Sequence, residues 1–117
     1  MKVVIADDEQ KICQLIQLLI DWEALGMEIA AVVHNGVDAV EAVKEYQPDI
    51  MITDIKMPGY DGLEMISRAK EINPELEFII ISGYRNFNYA QQAIKYGVKD
   101  YLLKPIGEQE LREALNN

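Results

Sequence analysis

Residues 49–62 read DIMITDIKMPGYDG, and the change from strand to helix within this stretch decides the fold. The short apolar run at residues 49–53 predicts a buried strand, and Asp54 follows directly where that strand ends. After a short loop, Asp61 is placed to cap the N-terminus of a helix. The stretch therefore predicts a strand, a loop and a helix in succession, with a carboxylate at the end of the strand.

The same strand–helix unit recurs on both sides of this stretch. Apolar runs predict further strands at residues 2–6, 27–33, 78–81 and 99–103. Amphipathic spacing predicts helices at residues 9–24, 35–46, 61–73, 86–96 and 108–115, the second of them capped by Asn35. The apolar residues expected on buried helix faces are Ile12, Leu15, Ile16, Leu19, Ile20, Ala39, Val40, Val43, Leu63, Ile66, Ala90, Ala93 and Ile94.

Alternating strands and helices predict an α/β fold with a parallel sheet and helices on both of its faces. With right-handed crossovers, the expected topology is a doubly wound five-stranded sheet of order 2-1-3-4-5, as in flavodoxin-like folds. Such sheets bind ligands beyond the carboxyl ends of the strands, here at the switch point between strands 1 and 3. The length of 117 residues fits one domain covering residues 1–117.

Composition argues against several function classes. The net charge of −9, from 20 acidic and 11 basic residues, argues against direct nucleic-acid binding by this segment. The single cysteine, Cys13, rules out an intramolecular disulfide and is expected to be a small buried residue. The single histidine, His34, is expected in a loop, and no cysteine–histidine cluster predicts a zinc site. Because the chain shows no signal peptide and no apolar run long enough for a bilayer, a cytoplasmic protein without membrane contact is expected.

Polar side chains stand at the carboxyl ends of four predicted strands. Asp7 and Asp8 follow the first strand, Asp54 the third, Ser82 the fourth and Lys104 the fifth. Any one of them alone would be an ordinary cap, turn or surface residue. Together at the switch point, the carboxylates would repel one another unless a cation neutralises them, and Mg2+ prefers such oxygen ligands.

This set of residues suits phosphoryl transfer. A carboxylate such as that of Asp54 can attack phosphorus and form an acyl phosphate. Lys104 can neutralise phosphoryl oxygens as a mobile charge, and the Ser82 hydroxyl can donate a hydrogen bond to one of them. The sequence therefore predicts a magnesium-dependent phosphoryl acceptor at this rim of the sheet.

Four motifs, in order and at domain-sized spacing, resemble those of the response-regulator receiver domains of bacterial two-component systems. They are Asp7-Asp8, the run DIKMPGYDG at residues 54–62, Ser82-Gly83 and the run YLLKP at residues 101–105. The resemblance implies that a partner sensor histidine kinase phosphorylates Asp54 in a reaction that needs Mg2+. It also implies a regulatory protein and not an enzyme that turns over an external substrate.

The resemblance also implies individual roles for the site residues. The implied metal ligands are Asp7 (through water), Asp8, Asp54 and the backbone carbonyl of Lys56. The residues implied to hold the phosphoryl group are Ser82 and Lys104, and Tyr101 is the implied switch aromatic. The peptide bond between Lys104 and Pro105 is implied to be cis.

Two further stretches, residues 21–26 (DWEALG) and residues 83–93, resemble receivers that precede an AraC-type helix-turn-helix output domain. This likeness implies transcription regulation through DNA binding by a domain that was cut away from this chain; a stand-alone receiver is the alternative. Phosphorylation is expected to change the surface of helix 4, strand 5 and helix 5, which suits a homodimer or partner contact. The residues expected there are Tyr89, Lys95, Tyr96, Lys99, Asp100 and Arg112.

The residues leave three other functions to be weighed. A phosphatase of the haloacid-dehalogenase type also uses an aspartyl nucleophile and Mg2+, but it needs an aspartate where this chain has Lys56. A flavodoxin-like cofactor site would need glycine or hydroxyl residues after strand 1, where Asp7, Asp8 and Glu9 would repel a phosphate. A phosphate-independent interaction module of the same fold would be expected to lack one of the acids or the lysine.

Overall fold

The computed structural model describes residues 1–83 and 87–116, without the side chains of Phe87, Tyr89 and Ala90. Within these residues, strands and helices alternate along the chain as predicted. Their bounds are β1 Lys2–Ala6, α1 Gln10–Leu19, β2 Glu28–Val33, α2 Gly36–Tyr46, β3 Ile50–Thr53, α3 Gly62–Ile72, β4 Glu77–Ser82, α4 Phe87–Lys95, β5 Asp100–Leu103 and α5 Glu108–Asn116. The predicted helix start at residue 86, the burial of Ala90, the surface position of Tyr89 and the domain end at Asn117 lie outside this description.

The sheet is parallel, with the order β2-β1-β3-β4-β5, which confirms the predicted topology. Its register determines what meets at the carboxyl edge. Ala6 pairs with Thr53, and Thr53 pairs with Ile80. The residues that follow β1 and β3, Asp7 and Asp54, therefore leave the sheet side by side.

The sheet separates two apolar cores, because successive side chains of a strand point to opposite faces. In β1, Val4 and Ala6 belong to the core under α2 and α3, whereas Val3 and Ile5 belong to the core under α1 and α5. β1, β3 and β4 are buried along almost their whole length, whereas all four residues of the edge strand β5 are half-buried. The edge of the sheet from which Asp7 and Asp54 extend is thus supported from both faces.

The prediction that the first helix continues to residue 24 is wrong, because α1 ends at Leu19 and Ile20 already has an extended backbone. A turn follows, in which the Asp21 carboxylate accepts a hydrogen bond from the Ala24 N–H (3.2 Å) and the Trp22 indole donates to the Gln17 carbonyl (3.2 Å). The remaining predicted bounds of described elements differ from the observed ones by at most one residue at an end. Ile20, Trp22 and Leu25 pack into the core under α1 and α5, which explains the apolar pattern of this stretch without a longer helix.

Two residues predicted on buried helix faces are exposed. Ile94 is 73% exposed, because the neighbouring Ala93 faces the core and Ile94 points away from it. Leu15 is 37% exposed, because Cys13 and Ile16 occupy the buried face of α1. Of the other residues predicted on buried helix faces, those that the structure shows as buried are Ile16, Ile20, Ala39, Val40, Val43, Leu63, Ile66 and Ala93.

The helices that flank the acidic rim begin where the sequence predicts. The Asn35 side chain accepts a hydrogen bond from the Asp38 N–H (2.8 Å), and the Asp61 side chain accepts one from the Glu64 N–H (2.9 Å). Gly62 allows α3 to start against the loop after β3, since a Cβ there would lie 2.6 Å from the Ile55 Cα and would overlap the backbone oxygen of Asp54. None of the helices in the described residues is long and apolar enough to cross a membrane.

Candidate functional site

Backbone hydrogen bonds extend the sheet by one residue and so fix the acidic side chains in space. The Asp7 N–H donates to the Val33 carbonyl (3.0 Å), and the Asp54 N–H donates to the Ala6 carbonyl (3.0 Å). On the other side of the rim, the Lys104 N–H donates to the carbonyl of Ser82 (2.9 Å). Side chains that lie far apart in sequence are thereby anchored to one rigid edge.

Three carboxylates converge at this edge. One oxygen each from Asp7, Asp8 and Asp54 lies within 4.8 Å of the other two. Asp7 and Asp54 are buried, at 2% and 4% exposure, whereas Asp8 is exposed and opens the cluster to solvent. A solvent-accessible group of hard oxygen donors fits a divalent cation of the magnesium type.

Lys104 holds two of these carboxylates together. Its Nζ lies 2.9 Å from Asp54 Oδ2, 3.1 Å from Asp7 Oδ2 and 3.6 Å from Glu9 Oε2. Burial by itself would lower the pKa of Lys104, but the hydrogen bonds and charges of Asp54 and Asp7 outweigh it and raise that pKa above its usual value. Lys104 therefore remains a cation at any physiological pH.

The negative charge at the rim exceeds what Lys104 can neutralise. Burial raises the pKa of Asp7, and the charge of Asp54 raises it further. The Glu9 N–H, which donates to Asp7 Oδ1 at 2.9 Å, and Lys104 act in the opposite direction. One lysine thus faces several carboxylates, and the excess of negative charge is the electrostatic condition for binding a divalent cation.

The carboxylate of Asp54 is oriented by partners on both oxygens. Oδ1 accepts hydrogen bonds from the backbone N–H of Ile55 (2.6 Å) and of Lys56 (3.5 Å), while Oδ2 accepts from Lys104. The preceding residue contributes too, since the Thr53 hydroxyl donates to the Asp54 backbone carbonyl at 2.9 Å. Among the described residues, backbone groups therefore hold Oδ1, whereas the flexible side chain of Lys104 holds Oδ2.

The other residues singled out in the sequence lie on β4, on β5 and in the loops that follow β3 and β5. Ser82 is completely buried at the end of β4, and Tyr101 is half-buried in β5, where it packs against the core under α2 and α3. Lys56 is exposed, and the peptide bond between Lys104 and Pro105 is cis. The phosphate contacts predicted for Ser82 and Lys104, the metal contact predicted for the Lys56 backbone carbonyl and the switch role of Tyr101 stay predictions.

Three residues at the site were given no role from the sequence. Glu9 forms an ion pair with Lys104, and the Thr53 hydroxyl donates a hydrogen bond to the Asp54 backbone carbonyl. The third, His34, places Nδ1 2.9 Å from the backbone oxygen of Asp7. The position of Glu9 beside the acidic pair is a signal that could have identified it, whereas the contacts of Thr53 and His34 depend on side-chain direction.

Cys13 is expected to react slowly with alkylating reagents in the folded protein. Its thiol is buried and lies 3.3 Å from the Asp7 backbone oxygen, and burial followed by the Asp7 charge raises the pKa of Cys13 from 9.0 to about 11. A thiolate fraction about 100-fold below that of an ordinary thiol predicts at least that ratio between alkylation rates in urea and in buffer. Iodoacetamide labelling followed by intact mass measures both rates, and equal rates would contradict the prediction.

Comparison with known proteins finds relatives over nearly the whole chain. Residues 3–116 match the family described as the response regulator receiver domain. The chain is 46% identical over 114 residues to the uncharacterized transcriptional regulatory protein YesN of Bacillus subtilis, covering 97% of this chain and 31% of YesN. It is 33% identical over 114 residues to the transcriptional regulatory protein HptR of Staphylococcus aureus, covering 97% of this chain and 44% of HptR.

Among solved structures, the REC domain of AraT, a response regulator from Geobacillus stearothermophilus, superimposes with a TM-score of 0.93 at 43% sequence identity. That alignment covers 98% of this chain and 89% of the AraT chain. By contrast, the chain spans about a third to somewhat under half of the length of the two curated relatives. The similarity therefore covers the α/β fold described above, and the two curated relatives contain further sequence outside the aligned segment.

Proposed function

Because the chain belongs to the response regulator receiver domain family of two-component systems, we propose that Asp54 accepts a phosphoryl group from a sensor histidine kinase in a magnesium-dependent reaction. The single observation that carries this proposal is the convergence of three carboxylates and Lys104 at one solvent-open rim. A receiver of this kind regulates and does not turn over an external substrate.

The proposed step is an in-line transfer. An oxygen of the Asp54 carboxylate forms a bond to phosphorus while the phosphorus–nitrogen bond to the kinase histidine breaks, and the leaving imidazole nitrogen takes up a proton. Oδ2 is the oxygen that a side-chain movement can free, since its partner is Lys104 and not a backbone group. The two backbone N–H groups that donate to Oδ1 keep the orientation of the Asp54 carboxylate fixed while Oδ2 exchanges Lys104 for phosphorus.

The residues proposed to hold Mg2+ are the side chains of Asp7, Asp8 and Asp54 and the backbone carbonyl of Lys56. When bound, the ion supplies positive charge for the phosphoryl oxygens and relieves repulsion among the carboxylates. Once Asp54 is phosphorylated, Lys104 and the Ser82 hydroxyl bind phosphoryl oxygens. Lys104 needs only a short movement for this, because its ammonium already lies 2.9 Å from Asp54.

We propose that this capture moves Tyr101 inward and alters the surface formed by α4, β5 and α5. The described part of that surface presents the exposed side chains of Ile94, Lys95 and Tyr96, and Arg112 forms an exposed ion pair with Glu108 (2.7 Å). An apolar residue at 73% exposure beside charged ones suits a partner contact or a homodimer. Phosphorylation supplies the differential free energy that shifts the equilibrium between the two surface states.

Replacing Tyr101 by alanine is expected to uncouple phosphorylation from the change of this surface. The variant should gain the phosphoryl group as the original chain does, because Tyr101 packs against the apolar core under α2 and α3 and is not among the residues proposed to bind phosphorus or Mg2+. Phosphorylation-dependent self-association, measured by analytical ultracentrifugation, should be lost or strongly reduced. Undiminished association of phosphorylated Tyr101→Ala would remove Tyr101 from the mechanism.

The output of the complete protein is proposed to be transcription regulation. Support comes from the names of YesN and HptR, which are both transcriptional regulatory proteins and extend well beyond the aligned segment. The stretch DWEALG at residues 21–26 further favours an AraC-type helix-turn-helix output, which would contact DNA in place of this acidic chain.

The direct test of the proposed function is incubation with acetyl phosphate, with either Mg2+ or EDTA present, followed by intact-mass analysis. The chain is expected to gain one phosphoryl mass with Mg2+ and none with EDTA. Absence of any gain with Mg2+, or the same gain in EDTA, would reject a magnesium-dependent acceptor.

A further inference from the structure

The segment at residues 34–36 joins β2 to α2 and contacts both acidic segments of the site through His34 and Gly36, without contributing an acidic side chain. The segment comprises the loop residues His34 and Asn35 and the first residue of α2, Gly36. It follows β2, which pairs with β1, so its start lies beside the residues that leave β1. Its contacts reach the two acidic segments that are proposed above to bind Mg2+.

On one side, His34 holds the Asp7 backbone. Its Nδ1 lies 2.9 Å from the Asp7 carbonyl oxygen, which can only accept, so Nδ1 carries a proton and donates. The same oxygen accepts from the Cys13 thiol (3.3 Å), and the Asp7 N–H donates to the Val33 carbonyl (3.0 Å). The backbone of Asp7 is thereby held at its N–H and at its carbonyl, and the direction of the Asp8 backbone follows from it.

On the other side, Gly36 holds the loop that follows Asp54. Its N–H donates to the Pro58 carbonyl at 3.0 Å. The approach is so close that a Cβ on Gly36 would overlap the backbone carbonyl of Tyr60, whose carbon it would approach to 2.8 Å. The segment at residues 34–36 thus connects the segment of Asp7 and Asp8 to the loop that follows Asp54.

We propose that His34 is a positioning residue for the cation site, because its hydrogen bond to Asp7 fixes the first acidic segment at the spacing that Mg2+ binding requires. The inference rests on the proposed function. Residues that orient metal ligands from behind commonly change metal affinity by about 10- to 100-fold when they are replaced. His34 acts on a backbone carbonyl and not on the ligand oxygen, so we expect the lower end of that range, about tenfold.

The test is Mg2+ binding by the unphosphorylated chain, measured by isothermal titration calorimetry without a phosphodonor. His34→Leu, which keeps an apolar body but has no donor, is expected to weaken Mg2+ binding by about tenfold. His34→Asn can place an amide N–H where Nδ1 lies and is expected to restore affinity to within about twofold. The conservative substitution therefore separates the lost donor from the altered bulk of the side chain.

Asn35→Ala is the matched control, because Asn35 caps α2 but has no described contact with either acidic segment. It should lower the urea midpoint in EDTA and leave the Mg2+ dissociation constant unchanged. Equal affinities of His34→Leu and the original chain, failure of His34→Asn to restore binding, or equal weakening by Asn35→Ala would each overturn the positioning role. If the original chain itself does not bind Mg2+, the proposed function fails, and the inference fails with it.

Discussion

Replacing Asp54 by alanine is expected to abolish the gain of a phosphoryl mass from acetyl phosphate and Mg2+. The carboxylate is the group proposed to bond to phosphorus, and alanine has no atom that can replace it. Asp7 and Asp8 remain in the variant, but they follow β1, and Asp7 accepts from one backbone N–H, that of Glu9, whereas Asp54 accepts from two. Intact-mass analysis after a fixed incubation measures the loss.

The matched control is Asp49→Ala, just before the other end of the same strand. Asp49 accepts a hydrogen bond from the Lys2 N–H (2.8 Å) and lies at the edge of the sheet opposite the acidic rim. This variant should take up the phosphoryl group as the original chain does. A phosphoryl gain in Asp54→Ala, with a circular dichroism spectrum that shows a folded chain, would mean that another residue is the acceptor.

Replacing Lys104 by alanine is expected to destabilise the chain in EDTA by about 2 kcal/mol, and Mg2+ is expected to remove most of that loss. The substitution leaves the buried carboxylates of Asp7 and Asp54 without the ammonium that lies 3.1 Å and 2.9 Å from them. Breaking a fully buried ion pair costs roughly 3–5 kcal/mol, and the opening at Asp8 lowers that figure. A bound divalent cation stabilises only the folded state.

Urea unfolding at pH 7, with EDTA or with Mg2+, measures the stability of this variant. Burial already raises the pKa of Asp7, and loss of Lys104 raises it further, so protonation of Asp7 should shrink the deficit as the pH falls. Lys44→Ala is the control: its pair with Glu41 (3.3 Å) joins side chains that are 55% and 63% exposed and should contribute less than about 0.5 kcal/mol. An equal deficit for Lys104→Ala with and without Mg2+ would show that the carboxylates do not form a cation site.

The sheet order and most element bounds followed from the sequence because hydrophobic period and strand–helix alternation leave few topologies. The end of α1 did not follow, since residues 20–25 are apolar enough to continue a helical pattern. What stops the helix is a turn in which Asp21 and Trp22 hydrogen-bond to backbone groups. Ile94 was misplaced because neighbouring Ala93 and Ile94 fit almost the same helical stripe, and contact with the sheet decides between them.

The grouping of acids and lysine was predictable for a different reason. In a parallel sheet, residues that directly follow the strands lie along one edge, so Asp7 and Asp54, which follow the neighbouring strands β1 and β3, could be placed side by side from strand ends alone. Lys104 could be placed on the same edge, but it follows β5, which β4 separates from β3, so its ion pair with Asp54 depends on the reach of its side chain. The contacts of Glu9 with Lys104 and of His34 with Asp7 are determined by rotamers and loop shape. Periodicity contains no information on either, and only coordinates show them.

The position of each group within the sheet has a mechanical consequence. Asp54 follows β3, which lies buried between β1 and β4, whereas Lys104 follows β5, the half-buried edge strand. The free energy of local opening rises with burial and with shared hydrogen bonds, so compliance is low at the centre of the sheet and higher at its edge. The phosphoryl charge that we propose on Asp54 would therefore meet a stiff support beneath it, and the least costly response would be a displacement of the edge strand that leads to Lys104.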